Sequence, residues 1–456
     1  MPTSALAQSM LALEARSLLT RLDQVRPFAL KMPMVPAAAL SAEAQTAIEV
    51  HMDRAHRQLR VMVEEYLHWL TTPEGKSATA SEGQRRFTIL KLRFNSMLDD
   101  FDIFADVISQ RSEHETGTWI SGLDVVAADA LSLPGFFRSP PVICYLDRGH
   151  GAAIRRARTR LPGGEENPVA VIRVPRERMV GSGIGSSLIH EVGHQAAALL
   201  GLVSSLREAL KAMQARGGPA AATWKLYERW ISEIVADFWS VARIGIGSTL
   251  GLIGVVSLPK FFVFRTNVDD PHPTPWIRVK LSCAIGQALY PHPQWARLAA
   301  LWHSYYPPEG LPSAQRDVLA GLESIMPQFI TLLVQHRNPF LRGGTLMDAL
   351  SVTQRQPERL REHWRAWRGQ GAVMRRASPS LVFAVISQAR ADGQIPPEEE
   401  SKVLSELLTT WAVDDTLRRS QICADSILPG APPVRERGGV VYRPAPTTTT
   451  PLAAAV

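Results

Sequence analysis

The chain has 456 residues, 45% hydrophobic and 20% charged, an ordinary globular composition with a net charge of +7 and a pI near 9.5. The length predicts two or three structural units with sizeable cores. Cys144, Cys283 and Cys423 stand far apart without a C-x-x-C pair, which excludes a disulfide framework and a thiolate metal site. The basic excess is diffuse and accompanies no nucleic-acid motif, so no specific nucleic-acid partner is expected.

From Met1 the segment MPTSALAQSMLALEARSLLTRLDQ mixes apolar and charged residues without the unbroken apolar stretch of a signal peptide, and it reads as an amphipathic helix. The absence of a signal segment and the reduced cysteines predict a cytoplasmic protein, with release by a non-classical route left open. Apolar residues recur at helical spacing over 41–70 and 84–110, predicting an N-terminal helical region over 1–115. After Thr116 the pattern changes. PVICYL (141–146) and PVAVIRV, which runs from Pro168 to Val174, are β-branched runs bounded by Pro and Gly and read as strands, with LPGGEEN as a turn between them. The GSGIG stretch (181–185) lacks the lysine of a phosphate loop and reads as slack before the next helix.

Helical periodicity returns in SSLIHEVGHQAAALL, over 204–215 and over 221–243. The apolar segment 244–264 is broken by glycines and Pro259-Lys260. Its apolar part falls short of the roughly 20 residues of a spanning helix. It reads as a buried connection, so no transmembrane span is expected, although the basic charge leaves peripheral membrane contact open. Beyond 343 the chain is helical again, with a basic, Trp-containing helix at 358–368 and a pair around ARADGQIPPEEESKVLSELLTTW. The DG turn of that pair faintly resembles the helical pairs of TerB-like domains, but it lacks the alternating oxygen ligands of a calcium loop. From Pro429 the chain is rich in Pro, Gly, Arg and Thr and is predicted to be disordered.

The chemistry concentrates in HEVGH. Residues four apart share one face of a helix, so His190 and His194 can present two imidazoles to one cation, with Glu191 beside them as a general base. The flanks are apolar, and two histidines and a glutamate in a buried helix need a compensating partner. Ala197 and Leu200 stand where a metzincin carries the glycine and third histidine, so a third ligand must come from elsewhere. The helix WISEIVADFWSV offers Glu233 as that ligand, with Asp237 four residues on, placed to orient a ligand histidine.

HEVGH followed by E-x-x-A-D (Glu233, Ala236, Asp237) resembles the gluzincin peptidases, most nearly the CAAX prenyl proteases and HtpX-like peptidases. DDPHPTPWIRV extends the likeness, with His272, Pro273 and Arg278 in matching places, so it covers about 169–279. The resemblance implies one Zn²⁺ held by His190, His194 and Glu233, and catalytic roles for Glu191, His272 and Arg278, the last two at the oxyanion or in organising the site. It does not extend to the membrane helices of those families.

The expected fold is therefore α-rich α+β: a zincin-like core with a small sheet over 116–339, flanked by the N-terminal helices and a C-terminal helical module over 340–428, with 429–456 as a tail. The expected activity is zinc-dependent endopeptidase, with a protein or peptide substrate lying along an edge strand at 168–174. Two alternative readings are an inactive zincin-fold binding protein and a peptidase effector or toxin delivered to another cell. Intact Glu191 and an intact ligand set argue against the first.

Overall fold

The N-terminal helices begin where hydroxyl side chains accept hydrogen bonds from first-turn N–H groups that have no helical partner. Helices α1 (Thr3–Gln24), α2 (Ala42–Thr71), α3 (Pro73–Ser77) and α4 (Ala80–Ser109) follow one another, with Ser41 capping Ala44, Thr72 capping Gly75 and Thr79 capping Glu82. Their apolar faces meet in one core that includes Leu18, Ile48, Val63, Phe94 and Phe104. The computed structural model describes residues 3–148, 151–176, 183–265, 270–350 and 352–427. The tail expected from 429 lies outside them, as does the start of the GSGIG stretch.

Helix α5 (His114–Leu131) leads into a three-stranded mixed sheet of β1 (Val142–Asp147), β2 (Ala153–Arg155) and β3 (Ala170–Pro175). The strand order is β1-β3-β2, with β1 parallel and β2 antiparallel to β3. Alternation sends Ile143, Val169 and Val171 into the N-terminal core, and Val142, Cys144, Leu146, Ala170, Ile172 and Val174 into a second, larger one. With both faces covered, the strands read as near-continuous apolar runs.

One expectation is overturned here. The strand at 168–174 was expected at the sheet edge, but it is the central strand, because Ala153–Arg155 folds back on it across the LPGGEEN turn. The outer positions belong to β1 and β2, and side chains of Gln110, Arg111 and Asp124 already bond the outer backbone of β1 at Cys144 and Leu146. Three residues with two exposed positions carry no period-two signal, so the sequence reading passed over β2.

The second core gathers α6 (Gly183–Leu199), α7 (Leu202–Ala215), α8 (Ala221–Ile244), α9 (Ile246–Val256), α10 (Lys260–Val263), α11 (Pro275–Leu289), α12 (Gln294–Tyr305) and α13 (Ser313–Val334). Gly183 and Gly185 are helical and belong to α6 itself, and Gly185 lies under the Phe383 ring. The apolar segment 244–264 becomes α9 and α10, split at Pro259, and its Phe261 is 80% exposed. Among the described residues α13 alone is long and apolar enough to cross a membrane. Leu319, Leu322, Phe329 and Leu333 on one side of it are buried, and Arg316, Asp317 and Glu323 are exposed.

The chain closes with α14 (Leu346–Ala349), α15 (Pro357–Trp367), α16 (Gly371–Arg376), α17 (Pro379–Ala391) and α18 (Pro397–Ile427). Residues 379–389 of α17 are all buried, and α17 packs on α8 and α9. The helices after 340 thus share one continuous core with α6 and α8. Helix α18 approaches α5 so closely that a Cβ on Gly122 would stand 2.3 Å from the Leu408 carbonyl oxygen.

A buried ion pair joins α5 to the sheet. Arg111, fully buried, donates to both Asp124 oxygens at 2.8 and 3.2 Å, and Asp124 also accepts the Cys144 N–H of β1 at 2.7 Å. Removing the carboxylate leaves an uncompensated guanidinium inside the protein. Asp124→Ala is expected to lower the urea unfolding free energy by about 3–5 kcal/mol. A loss under about 1 kcal/mol would contradict the pairing.

Candidate metal centre

Helices α6 and α8 meet at two small residues. A Cβ on Gly193 would lie 2.8 Å from both the Cα and the carbonyl oxygen of Ala236, and 3.0 Å from the Trp239 Cβ. No side chain fits there without moving a backbone. The glycine of HEVGH and the alanine of E-x-x-A-D thus set the distance at which the acids of one helix reach the histidines of the other.

At that distance His190, His194 and Glu233 each place a ligand atom within 4.8 Å of the others, a grouping that can hold a metal ion. His190 Nε2 lies 3.2 Å from Glu233 Oε2, and His194 Nε2 lies 3.4 Å from Glu233 Oε1. The two imidazoles are perpendicular, with centroids 4.9 Å apart. Asp237, one turn past Glu233, takes the other nitrogen of His190: Nδ1 to Oδ1 is 2.8 Å. That bond fixes the ring and leaves Nε2 facing the cluster.

Arg278, in the first turns of α11, grips Asp237 with two bonds, Nε to Oδ2 at 2.7 Å and Nη2 to Oδ1 at 2.9 Å. Its side chain is nearly buried. Arginine holds aspartate, and aspartate holds histidine, contacts of the kind the organising role would need. His272 stands at the mouth of the cluster, half-exposed, with Nε2 3.3 Å from Glu233 Oε2. Asp270 accepts both the His272 backbone N–H and Nδ1, each at 2.9 Å, and itself pairs with Arg265 at 2.9 Å.

Glu191 lies on α6 between the two histidines and outside this hydrogen-bond network. It is 8% exposed and makes no hydrogen bond or ion pair with any described residue. Its charge is felt by the Arg278 guanidinium, and among the described residues nothing bonds its oxygens.

The electrostatics follow from the packing. Burial disfavours charge on His190, but the Asp237 carboxylate, by charge and by hydrogen bond, and Glu233 outweigh it and raise its pKa to about 10. Burial likewise opposes charge on Glu233, yet hydrogen bonds from His190 and His194 hold its carboxyl well below the usual carboxylate range. For Asp237 burial is again overcome, chiefly by the Arg278 guanidinium and then by His190.

The sequence reading missed two supporting residues. Asp270 lies beside the HP pair, but nothing local marks it as the partner of His272. Gln195, 1% exposed on α6, accepts the Ala157 N–H at 2.8 Å and so ties the end of the β2 hairpin to the residue after His194. Tyrosines that follow α11 are engaged away from the cluster. The Tyr290 hydroxyl donates to the Ala242 carbonyl, and that of Tyr306 to Leu258. Asp392 of the DG turn is held by Arg361 through two bonds at 2.8 and 3.0 Å.

Comparison with protein-family models, with curated proteins and with solved structures finds no match to this chain.

The raised His190 pKa fixes the sign of a pH dependence for the metal-free protein. Its pKa rises on folding from an ordinary 6.5 to about 10, so its contribution is complete below pH 6.5 and fades as pH climbs through about 10. The depressed Asp237 and Glu233 contribute above their ordinary values and lose that contribution on acidification. The urea midpoint of chelator-treated protein is expected to fall between pH 6.5 and 9.5, and His190→Gln to flatten that slope. Parallel curves for the two proteins would contradict it.

Proposed function

We propose that the chain is a zinc-dependent endopeptidase of the gluzincin type with a zincin-like core. The observation that carries this reading is a ligand-spaced donor set, His190, His194 and Glu233, with the carboxylate of Glu191, bonded to no described residue, on the helix of the two histidines. An ion bonded at about 2.0–2.2 Å to donors in tetrahedral array holds them about 3.3–3.6 Å apart. The separations of 3.2 and 3.4 Å are of that size. Two imidazoles and one carboxylate with no thiolate suit zinc and leave a fourth position open.

Bound zinc would supply Lewis acidity that brings the pKa of water towards neutrality. Glu191 then takes the proton from the water that attacks the scissile carbonyl, and returns it to the leaving amine as the C–N bond breaks. Arg278 and Asp237 keep His190 in one tautomer with Nε2 directed at the ion. With Nδ1 held by Asp270, His272 turns Nε2 to the mouth of the cluster, from where it would donate to the developing oxyanion. An extended substrate segment pairs with the outer strand β2, which Gln195 docks beside the metal helix.

The test combines metal analysis with cleavage of a generic peptide library. Native protein is expected to hold one zinc per chain. Glu191→Gln should keep the zinc and lose at least about 10²-fold in kcat, whereas Glu233→Ala should lose the zinc. Full zinc loading without Glu191-dependent cleavage would sink the enzyme reading. His272→Ala should lower kcat by about 10²–10³-fold at unchanged zinc content. Loss of zinc from that variant would make His272 a ligand instead.

A further inference from the structure

The hairpin that carries β2 is basic on its solvent side. Arg155, Arg158 and Arg160 are exposed and Arg156 is half-buried. None of the four makes an ion pair or side-chain hydrogen bond with a described residue. The same stretch, 153–167, holds two acids, Glu165 and Glu166, and Glu165 already faces Arg54 at 3.6 Å. Beyond Arg160 the strip runs into a groove of about 850 Å³ that Arg54 and Arg93 also line.

These arginines sit on a fixed frame. Between them Ala157 is bonded to Gln195 on the metal helix. Buried Asn167 donates its amide to the Arg155 and Arg156 carbonyls at 3.1 and 3.2 Å. At the tip, buried Asp100 accepts the Gly163 N–H at 3.1 and 3.2 Å and fastens the turn to α4. A fixed row of unpaired like charges beside an open strand edge attracts a chain of opposite sign.

We propose that the segment taken up along β2 is an acidic peptide, with aspartate or glutamate side chains facing Arg155, Arg156 and Arg158. The proposal rests on the peptidase reading of the same site and names its substrate class. The strand edge favours a peptide over nucleic acid, since it pairs with a backbone, and no aromatic residue occurs in 153–167 for a base to stack on.

The test uses full-length, zinc-loaded Glu191→Gln and the anisotropy of two fluorescein-labelled peptides, one with four acidic residues and one with the matching amides. The acidic peptide is expected to bind about tenfold more tightly at low salt, with most of that advantage lost at 0.3 M NaCl. Arg155→Glu with Arg158→Glu should weaken the acidic peptide about tenfold more than the neutral one, and the matching lysine pair should keep the preference. Equal affinities, equal losses for both peptides, or stronger binding of a single-stranded oligonucleotide of the same charge would overturn the proposal. Binding is read without turnover, so a failure of native cleavage would count against the peptidase reading alone.

Discussion

The structure depends on a knot of charges held between two apolar helices. Glu233 and Asp237 of α8 face His190 and His194 of α6 among buried Ile189, Val192, Ile234 and Phe238. Isolated, any of these groups would be expensive to bury. Together they satisfy one another, and Arg278 balances the second carboxylate. The knot closes only if the helices touch, which Gly193 against Ala236 permits. The surrounding helices then have a common task, since α9, α11 and α17 press on α8 and fix its rotation about its own axis.

The sheet links this knot to the N-terminal helices. Its two faces belong to two different cores, so the N-terminal region is bonded to the metal-site region through the strands themselves. The β2 hairpin is held at both ends, by Gln195 on α6 and by Asp100 on α4. A displacement of α4 would therefore be felt beside α6. The N-terminal helices thus serve as the support that sets the height and angle of the proposed substrate edge.

Much of this was legible in the chain itself. The long helices with one apolar face, such as Ala42–Thr71 and Ala221–Ile244, follow from periodicity. The ligand grouping follows from i,i+4 spacing on α6 together with two acids in an apolar stretch of α8. Helix α5 was passed over because residues 117–124 are all buried, so it has no polar face to create a period. Helix α17 was expected as the first of the pair around ARADGQIPPEEE, but its place at the centre of the second core was not evident. The edge strand was misplaced because β2 is too short to be seen, and β3, covered on both sides, looks the same from its sequence whether central or outer.

The sequence by itself determined which residues are able to form the centre, because helical geometry puts His190 beside His194, and Glu233 beside Asp237, whatever surrounds them. Tertiary structure alone decided how those pairs meet. It made Arg278 a clamp on Asp237 when its position in the chain allowed other roles, gave His272 to Asp270, and left Glu191 without a hydrogen bond to any described residue. It also moved the open sheet edge from β3 to β2. The contacts between helices join residues far apart in the chain, 41 for Arg278 and Asp237, 109 for Trp239 and the Ala130 carbonyl, and 111 for Arg243 and that of Ser132. No local periodicity records such pairings, since they depend on which surfaces remain to be buried once the helices have formed.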